Sequence, residues 1–316
     1  MAKNWAAIFP GQGSQVPGMG SELIKFWPSA RVRLQKVDEI LGRSLLDIMM
    51  NGPKDILRET ENSQPAIFTI SALYWDWLTK DSVDLPIYVA GHSLGEFSAI
   101  YASGAARFDE ILRLVDKRSR IMKKAAESNP GKMAAVLGMD PSAVREELKI
   151  TDDVDIANYN CPGQIVISGE AGALDSAVMI LKEAGAKKIV PIPVSGAFHS
   201  QAMAGAQSEF QEMLKESDIK DPDIPVIGNV SAEPLTDRDG LICELSKQMT
   251  SPVRWRQSIE YMIEEGTDTF IEVGPQKVLS GFMARIDKTK NSAAIDNCDF
   301  SRNGKVVLDE FIGAQN

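Results

Sequence analysis

The chain has 316 residues, room for one large domain or two unequal ones at roughly 100 to 200 residues each, so a disulfide miniprotein or an isolated binding peptide is excluded. With 44% hydrophobic and 25% charged residues, 24 Gly and 16 Pro, it reads as an ordinary folded, soluble protein. Forty-four acidic against 34 basic side chains, net charge −10, argue against a broad grip on nucleic acid, and no apolar run approaches the ~18 residues of a membrane span, so neither is expected as a partner.

In chain order, residues 5–9 form a short apolar run closed by Pro10 and a Gly-rich stretch at 11–15, a strand feeding a loop. Residues 29–48 and 64–78 carry helical periodicity. The run 85–90 is strand-like, 91–95 is a tight turn, and 94–102 is helical until Ser103 and Gly104 stop it. A further helix is expected from Asp109 to about Ser128. This alternation predicts a mainly parallel sheet covered on both faces. From Lys132 the rhythm changes to strand 133–137, helix 141–148, strands 154–159 and 165–168, helix 171–184 and strand 188–193. That βαββαβ order is the split-βαβ, ferredoxin-like pattern. The expected fold class is therefore α/β: a large hydrolase-like domain (1–127 and 197–316) with an inserted small ferredoxin-like domain (128–196). The large domain should resume with a helix after Phe198, a strand at 225–230, a helix at 253–264 and a strand at 269–273. The tail beyond Ile286, rich in Lys, Asn and Asp, reads as peripheral.

The first ten residues show neither anchor nor secretory signal. Cys161, Cys243 and Cys298 are odd in number, widely spaced and free of any CxxC pair, which fits thiols in a reducing cytoplasm. Two histidines, His92 and His199, are too few for a His-rich metal site, and neither metal nor bound cofactor is expected.

Residues 91–95 spell GxSxG between a predicted strand and a predicted helix. That is the context of a nucleophile elbow, in which glycines permit a sharp turn that lifts Ser93 Oγ to a helix N-terminus. The N–H of Leu94 then lies where an oxyanion could be held. A serine nucleophile needs a base. His92 adjoins the serine in a tight turn and is better read as a turn-stabilising side chain, which leaves His199. In the helix beginning at Asp109, Ile111, Val115, Met122 and Ala125 share one stripe, with Arg113, Asp116, Lys117, Arg120, Lys123 and Lys124 off it, and Arg118 falls in the middle of the apolar face. A guanidinium there needs an anionic partner: either an internal carboxylate or a substrate carboxylate, unless it snorkels to the surface. The 11–15 loop fails GxGxxG because position 16 is valine, and no P-loop motif is present. The loop either connects or brings Gln12 to the reacting oxygen.

GQGSQ at 11–15, QPA at 64–66, GHSLGE at 91–96, Arg118, ANYNCPGQIVISG at 157–169, GAFHS at 196–200, Gln248 before SPVRW and EVGP at 272–275 together resemble the malonyl-CoA:acyl carrier protein transacylase family. The resemblance implies ping-pong acyl transfer from malonyl-CoA, through a malonyl ester on Ser93, to the phosphopantetheine thiol of acyl carrier protein. His199 would relay the proton, oriented by a backbone carbonyl where Gln248 stands. The N–H groups of Gln12 and Leu94 would form the oxyanion hole. Arg118 would clamp the malonyl carboxylate, Met122 would line the pocket, and Asn160 and Gln64 would lie near it. Phe198 before the base resembles the malonyl-selective form of the wider acyltransferases. Ser119 and Cys161 depart from the family's usual residues without touching a proposed role. Acyl carrier protein and a small-molecule acyl-CoA are the implied partners, and the protein itself is expected to be a monomer. Because carrier proteins are acidic, basic residues near the site mouth are expected, with Lys117, Arg120, Lys123, Lys124, Lys187, Lys188, Arg285, Lys288 and Lys290 as candidates. The rival readings are a serine esterase or thioesterase, with a buried acid behind His199, and a trans-acting acyltransferase of polyketide assembly.

Overall fold

The computed structural model describes residues 4–151, 153–194 and 196–313. Strand β1 (Trp5–Phe9) leads into five helices: α1 (Ser21–Phe26), α2 (Pro28–Leu41), α3 (Leu46–Asn51), α4 (Lys54–Arg58) and α5 (Thr60–Thr79). Next come β2 (Tyr88–Gly91), α6 (Gly95–Ala102) and α7 (Phe108–Ser128). The middle of the chain runs β3 (Gly131–Leu137), α8 (Pro141–Leu148), β4 (Val154–Cys161), β5 (Gln164–Glu170), α9 (Ala171–Glu183) and β6 (Lys188–Ile192). A short 3-10 turn then precedes α10 (Ala204–Glu216), β7 (Val226–Ile227), β8 (Pro234–Leu235), α11 (Arg238–Gln248), α12 (Trp255–Glu264), β9 (Thr269–Glu272), α13 (Val278–Ile286), β10 (Asn291–Ala294) and α14 (Gly304–Phe311).

Two sheets result. The first has the order β10-β9-β1-β2-β7-β8, and every pair in it is parallel except β7 with β8. All five residues of β1 are buried, and successive side chains divide between the two faces. Trp5, Ala7 and Phe9 join the core under α5, α6 and α7, while Ala6 and Ile8 join the one under α12 and α13. This is why the strand reads as an unbroken apolar run. The second sheet is antiparallel, in the order β4-β5-β3-β6, and its βαββαβ connectivity is the one expected from the sequence. Its helices start where side chains can cap them. Asp140 accepts from the N–H of Ser142 ahead of Pro141, and Glu170 accepts from the N–H groups of Gly172 and Ala173.

Three expectations need correction. The helix expected over 29–48 is two helices, because Gly42 in the left-handed conformation ends α2 and α3 starts afresh at Leu46. The strand expected over 225–230 keeps only Val226 and Ile227, since Gly228 to Ser231 turn back toward β8. The segment after Ile286 is not peripheral. β10 pairs with β9 as an edge strand of the main sheet, Ile295 and Leu308 are fully buried, and the Tyr74 hydroxyl donates to Asp296. Its polar composition hid a strand that pairs with nearby β9, Asn291 opposite Thr269. No helix among the described residues is long and apolar enough to cross a membrane.

Candidate active site

Parallel pairing of β1 with β2, with Phe9 opposite Gly91, sets the loops that follow the two strands side by side at their carboxyl ends. One loop carries Gln12 and the other His92 and Ser93. Ser93 has φ +52°, a left-handed value that a non-glycine residue holds only when its surroundings impose it. Those surroundings are tight. A Cβ on Gly91 would overlap the Gly95 carbonyl, and one on Gly95 would overlap the Phe9 carbonyl. Both glycines of GxSxG are therefore steric requirements of the elbow.

Around Ser93 Oγ stands a dense polar network. His199 Nε2 lies 2.7 Å away. The other ring nitrogen, Nδ1, sits 2.9 Å from the main-chain carbonyl of Gln248 and 3.2 Å from that of Ser251. Carbonyl oxygens only accept, so Nδ1 carries the proton and Nε2 is left to accept from the serine hydroxyl. Burial, with Arg118 adding its positive charge, lowers the His199 pKa to about 3, so the ring is neutral at pH 7. Two carbonyls occupy the place behind the histidine where an esterase would hold a carboxylate.

Arg118 is as buried as its place on the apolar stripe of α7 requires. Its Nη1 donates to Gln64 Oε1 at 2.6 Å, and its Nη2 donates to Gln248 Oε1 at 2.7 Å and to Ser93 Oγ at 3.3 Å. Among the described residues its Nε has no acceptor, and no carboxylate is hydrogen-bonded to the guanidinium. Burial lowers its pKa to about 10, still a full charge at neutrality, and nearby Glu96 works in the opposite direction. Asp116, expected off the buried stripe, is buried and paired with Arg43 and Arg120.

These groups open on a cavity of about 510 Å³ lined by Gln12, Gln64, Ser93, Leu94, Arg118, Met122, Asn160, Phe198 and His199. Gln248 stands behind it, holding His199 with its main chain and Arg118 with its side chain. Gln64 also reaches Met122 Sδ at 3.5 Å. Gln12 donates to Thr60 from its side chain. Among the described residues the main-chain N–H groups of Gln12 and Leu94 have no acceptor within the chain. Asn160 does not touch the serine. Its Oδ1 is 2.9 Å from His92 Nε2, which makes His92 a tie between the elbow and β4 rather than a base. The cations lining the cavity besides Arg118 are Lys54 and Arg58, none of the nine anticipated, and of those nine Arg120, Lys123 and Lys290 are in ion pairs.

Three residues escaped the sequence reading. Asn229 Oδ1 accepts from the N–H of Ser93 at 2.7 Å, and its Nδ2 donates to the Gly91 carbonyl at 2.7 Å. Glu96, fully buried on α6, accepts from the Asn229 main chain at 2.8 Å, from Asn229 Nδ2 at 3.1 Å and from Gln248 Nε2. Burial, then the charge of Glu244, pushes the Glu96 pKa well above the usual carboxylate range. Glu244 on α11 in turn takes the N–H groups of Val230 and Ser231. For Glu96 a signal existed, a lone acid in an otherwise apolar helix; for Asn229 there was none.

A family model described as the acyl transferase domain matches residues 7–300. The malonyl CoA-acyl carrier protein transacylase of Bacillus subtilis (strain 168) is 43% identical over 296 residues, covering 92% of this chain and 93% of that protein. The crystal structure of acyl-carrier-protein-S-malonyltransferase from Bartonella henselae superposes with TM-score 0.93 at 36% identity, covering 98% of this chain and 99% of that one. A malonyl-transacylase solved in complex with its type II PKS acyl-carrier protein gives TM-score 0.91 at 31% identity, covering 98% of this chain and 100% of that one. This chain therefore belongs to the acyl transferase family, among the malonyl CoA-acyl carrier protein transacylases.

Proposed function

We propose that this protein moves the malonyl group of malonyl-CoA onto the phosphopantetheine thiol of an acyl carrier protein, by way of a malonyl ester on Ser93. The observation that carries the reading is Arg118: a buried guanidinium 3.3 Å from a nucleophilic hydroxyl, with amide and hydroxyl oxygens but, among the described residues, no carboxylate bonded to it. An acyl donor that brings its own carboxylate completes that site.

In the first half-reaction His199 Nε2 takes the Ser93 proton as Oγ attacks the thioester carbonyl. The N–H groups of Gln12 and Leu94 receive the oxyanion. As the C–S bond breaks, the thiolate of CoA takes the proton from His199. In the second half the carrier's thiol gives its proton to the same nitrogen, its sulfur attacks the ester, and Ser93 leaves reprotonated. The carbonyls of Gln248 and Ser251 hold the ring in register through both halves. Arg118 also depresses the basicity of His199, so a malonyl carboxylate on Arg118 offsets that charge and makes the base stronger when the correct acyl donor is bound. Met122, Phe198 and Gln64 shape the acyl pocket, and Asn160 supports it through His92.

We read residues 128–196 as a smaller inserted domain that walls the pocket and the remainder as the catalytic body. Every group in the scheme comes from one chain, which is why we take it to act as a monomer, and its three unbridged thiols favour the cytoplasm. A second reading, transfer to the carrier of a polyketide assembly line, is favoured by the type II PKS complex among the similar structures. Intact-protein mass spectrometry after mixing with malonyl-CoA tests the core of the proposal. A malonyl adduct is expected on the wild type and none on Ser93→Ala, and an unmodified wild type refutes it. Competition between a fatty-acid carrier and a polyketide carrier for the loaded enzyme separates the two pathways.

A further inference from the structure

The mechanism uses Ser93, His199 and Arg118 but gives no role to a buried ionisable group in the network around them. Glu96 sits on the first turn of α6, fully buried, and the described partners of its carboxylate are all N–H groups: the main chain of Asn229, Asn229 Nδ2 and Gln248 Nε2. Among the described residues each Glu96 oxygen faces only N–H donors, none of which could accept a proton from it, and a group that only accepts dictates which way a neighbouring amide faces. With its NH2 turned to Glu96 and to the Gly91 carbonyl, Asn229 must present its oxygen to the N–H of Ser93, 2.7 Å away. With its NH2 turned to Glu96 and to the Ser93 carbonyl, Gln248 must present its oxygen to Arg118 Nη2, also 2.7 Å away. Glu244 secures the far end, because its grip on the N–H groups of Val230 and Ser231 fixes the turn that carries Asn229.

We propose that Glu96 is the positioning residue of this site. Together with the main-chain carbonyls of Gly91 and Ser93, its carboxylate fixes the orientation of two amides, and through them holds Ser93 in its left-handed conformation and Arg118 beside the Ser93 hydroxyl. This rests on the acyl-serine reading of the site.

The near-isosteric Glu96→Gln exposes the logic. The main-chain N–H of Asn229 cannot turn round, so the new amide oxygen faces it and the new NH2 faces the NH2 of Gln248. Relief requires Gln248 to flip, which points its NH2 at the Arg118 guanidinium and its oxygen at the Ser93 carbonyl. Arg118 then loses an acceptor that holds it at the nucleophile. Asn229→Ala removes the clamp on the Ser93 N–H, with the bonds from Nδ2 to the Gly91 carbonyl and to Glu96, and leaves the contact between Gln248 and Arg118 in place. The two variants therefore differ in kind: Glu96→Gln should alter acyl-donor preference, and Asn229→Ala should slow every acyl donor alike.

The test is single-turnover formation of the Ser93 adduct in the full-length protein, with malonyl-CoA and acetyl-CoA, alongside thermal unfolding. For Glu96→Gln, malonyl loading should fall roughly tenfold to a hundredfold, the cost of a lost charge-assisted contact, and the malonyl-to-acetyl ratio should fall about tenfold. For Asn229→Ala both acyl donors should slow by about tenfold with their ratio unchanged. A merely structural Glu96 would lower the melting temperature while folded molecules loaded at wild-type rate and ratio, and that result overturns the proposal. If Glu96→Gln does not fold, Asn229→Ala decides alone, and wild-type loading by it is the overturning result. Failure of the underlying reading looks different, because then the wild type itself carries no adduct that Ser93→Ala lacks.

Discussion

The mainly parallel sheet and the antiparallel sheet border one cavity, yet every group hydrogen-bonded to Ser93 Oγ, to His199 or to Arg118 lies outside the four antiparallel strands. The parallel sheet delivers main-chain N–H groups and a nucleophile from the carboxyl ends of adjacent strands, where a helix begins and the backbone can be forced into a tight turn. The antiparallel sheet supplies wall: Met133 and Ala135 from β3, Asn158 and Asn160 from β4, Gln164 and Val166 from β5, and Ile192 from β6. It is tied to the elbow by the bond between Asn160 and His92. The contrast teaches that the chemistry is local to the parallel body, whereas access to it is shared.

Substitutions can break or sharpen that contrast. The largest effect should come from the elbow: Ser93→Ala should lower steady-state transfer by at least about 10⁴-fold with the fold intact, checked by turnover and circular dichroism. Next comes Arg118→Ala. Truncating a buried charged partner costs about 2–5 kcal/mol, so loading from malonyl-CoA should fall on the order of 10²- to 10³-fold, while acetyl-CoA is comparatively spared. Equal losses with both acyl donors would reduce Arg118 to scaffolding.

His199 gives a smaller, pH-dependent signature. Its pKa is about 3 in the folded chain against an ordinary 6.5, so between those values the unfolded state binds a proton that the folded state does not. Stability should therefore be complete above the ordinary value and fall as pH drops toward the lower one, with a slope of about 1.4 kcal/mol per pH unit from this group. Denaturant unfolding across that window should be correspondingly flatter for His199→Gln, and identical slopes would show that the ring is not held neutral. The smallest effect belongs to the wall. Asn160→Ala should cost about 1 kcal/mol of stability by leaving half-buried His92 unpaired, with malonyl loading changed by less than about twofold.

The same contrast explains what could be read from sequence. Ser93 was legible because strand, glycine turn and helix are contiguous, and Arg118 because a charge on an apolar stripe of α7 breaks a periodic pattern. The βαββαβ segment was legible for the same reason, each turn and cap being written within a few residues. Asn229 was not, because its meaning lies in an N–H 136 positions away. β10 was hidden too, as its strand partner, β9, belongs to a sheet whose other strands come from distant parts of the chain. Gly42, a residue that many helices tolerate, ended α2 through its left-handed backbone alone.

The central place of β1 between β2 and β9 has a consequence for how the protein comes into being. That strand must wait, with one edge bare, for a neighbour that is synthesised more than two hundred residues later. Until residues 269–294 have emerged from the ribosome the sheet cannot close on that side, so the catalytic body should complete its folding only after that stretch is made. Nascent chains stalled before that point are where chaperone dependence and aggregation should concentrate.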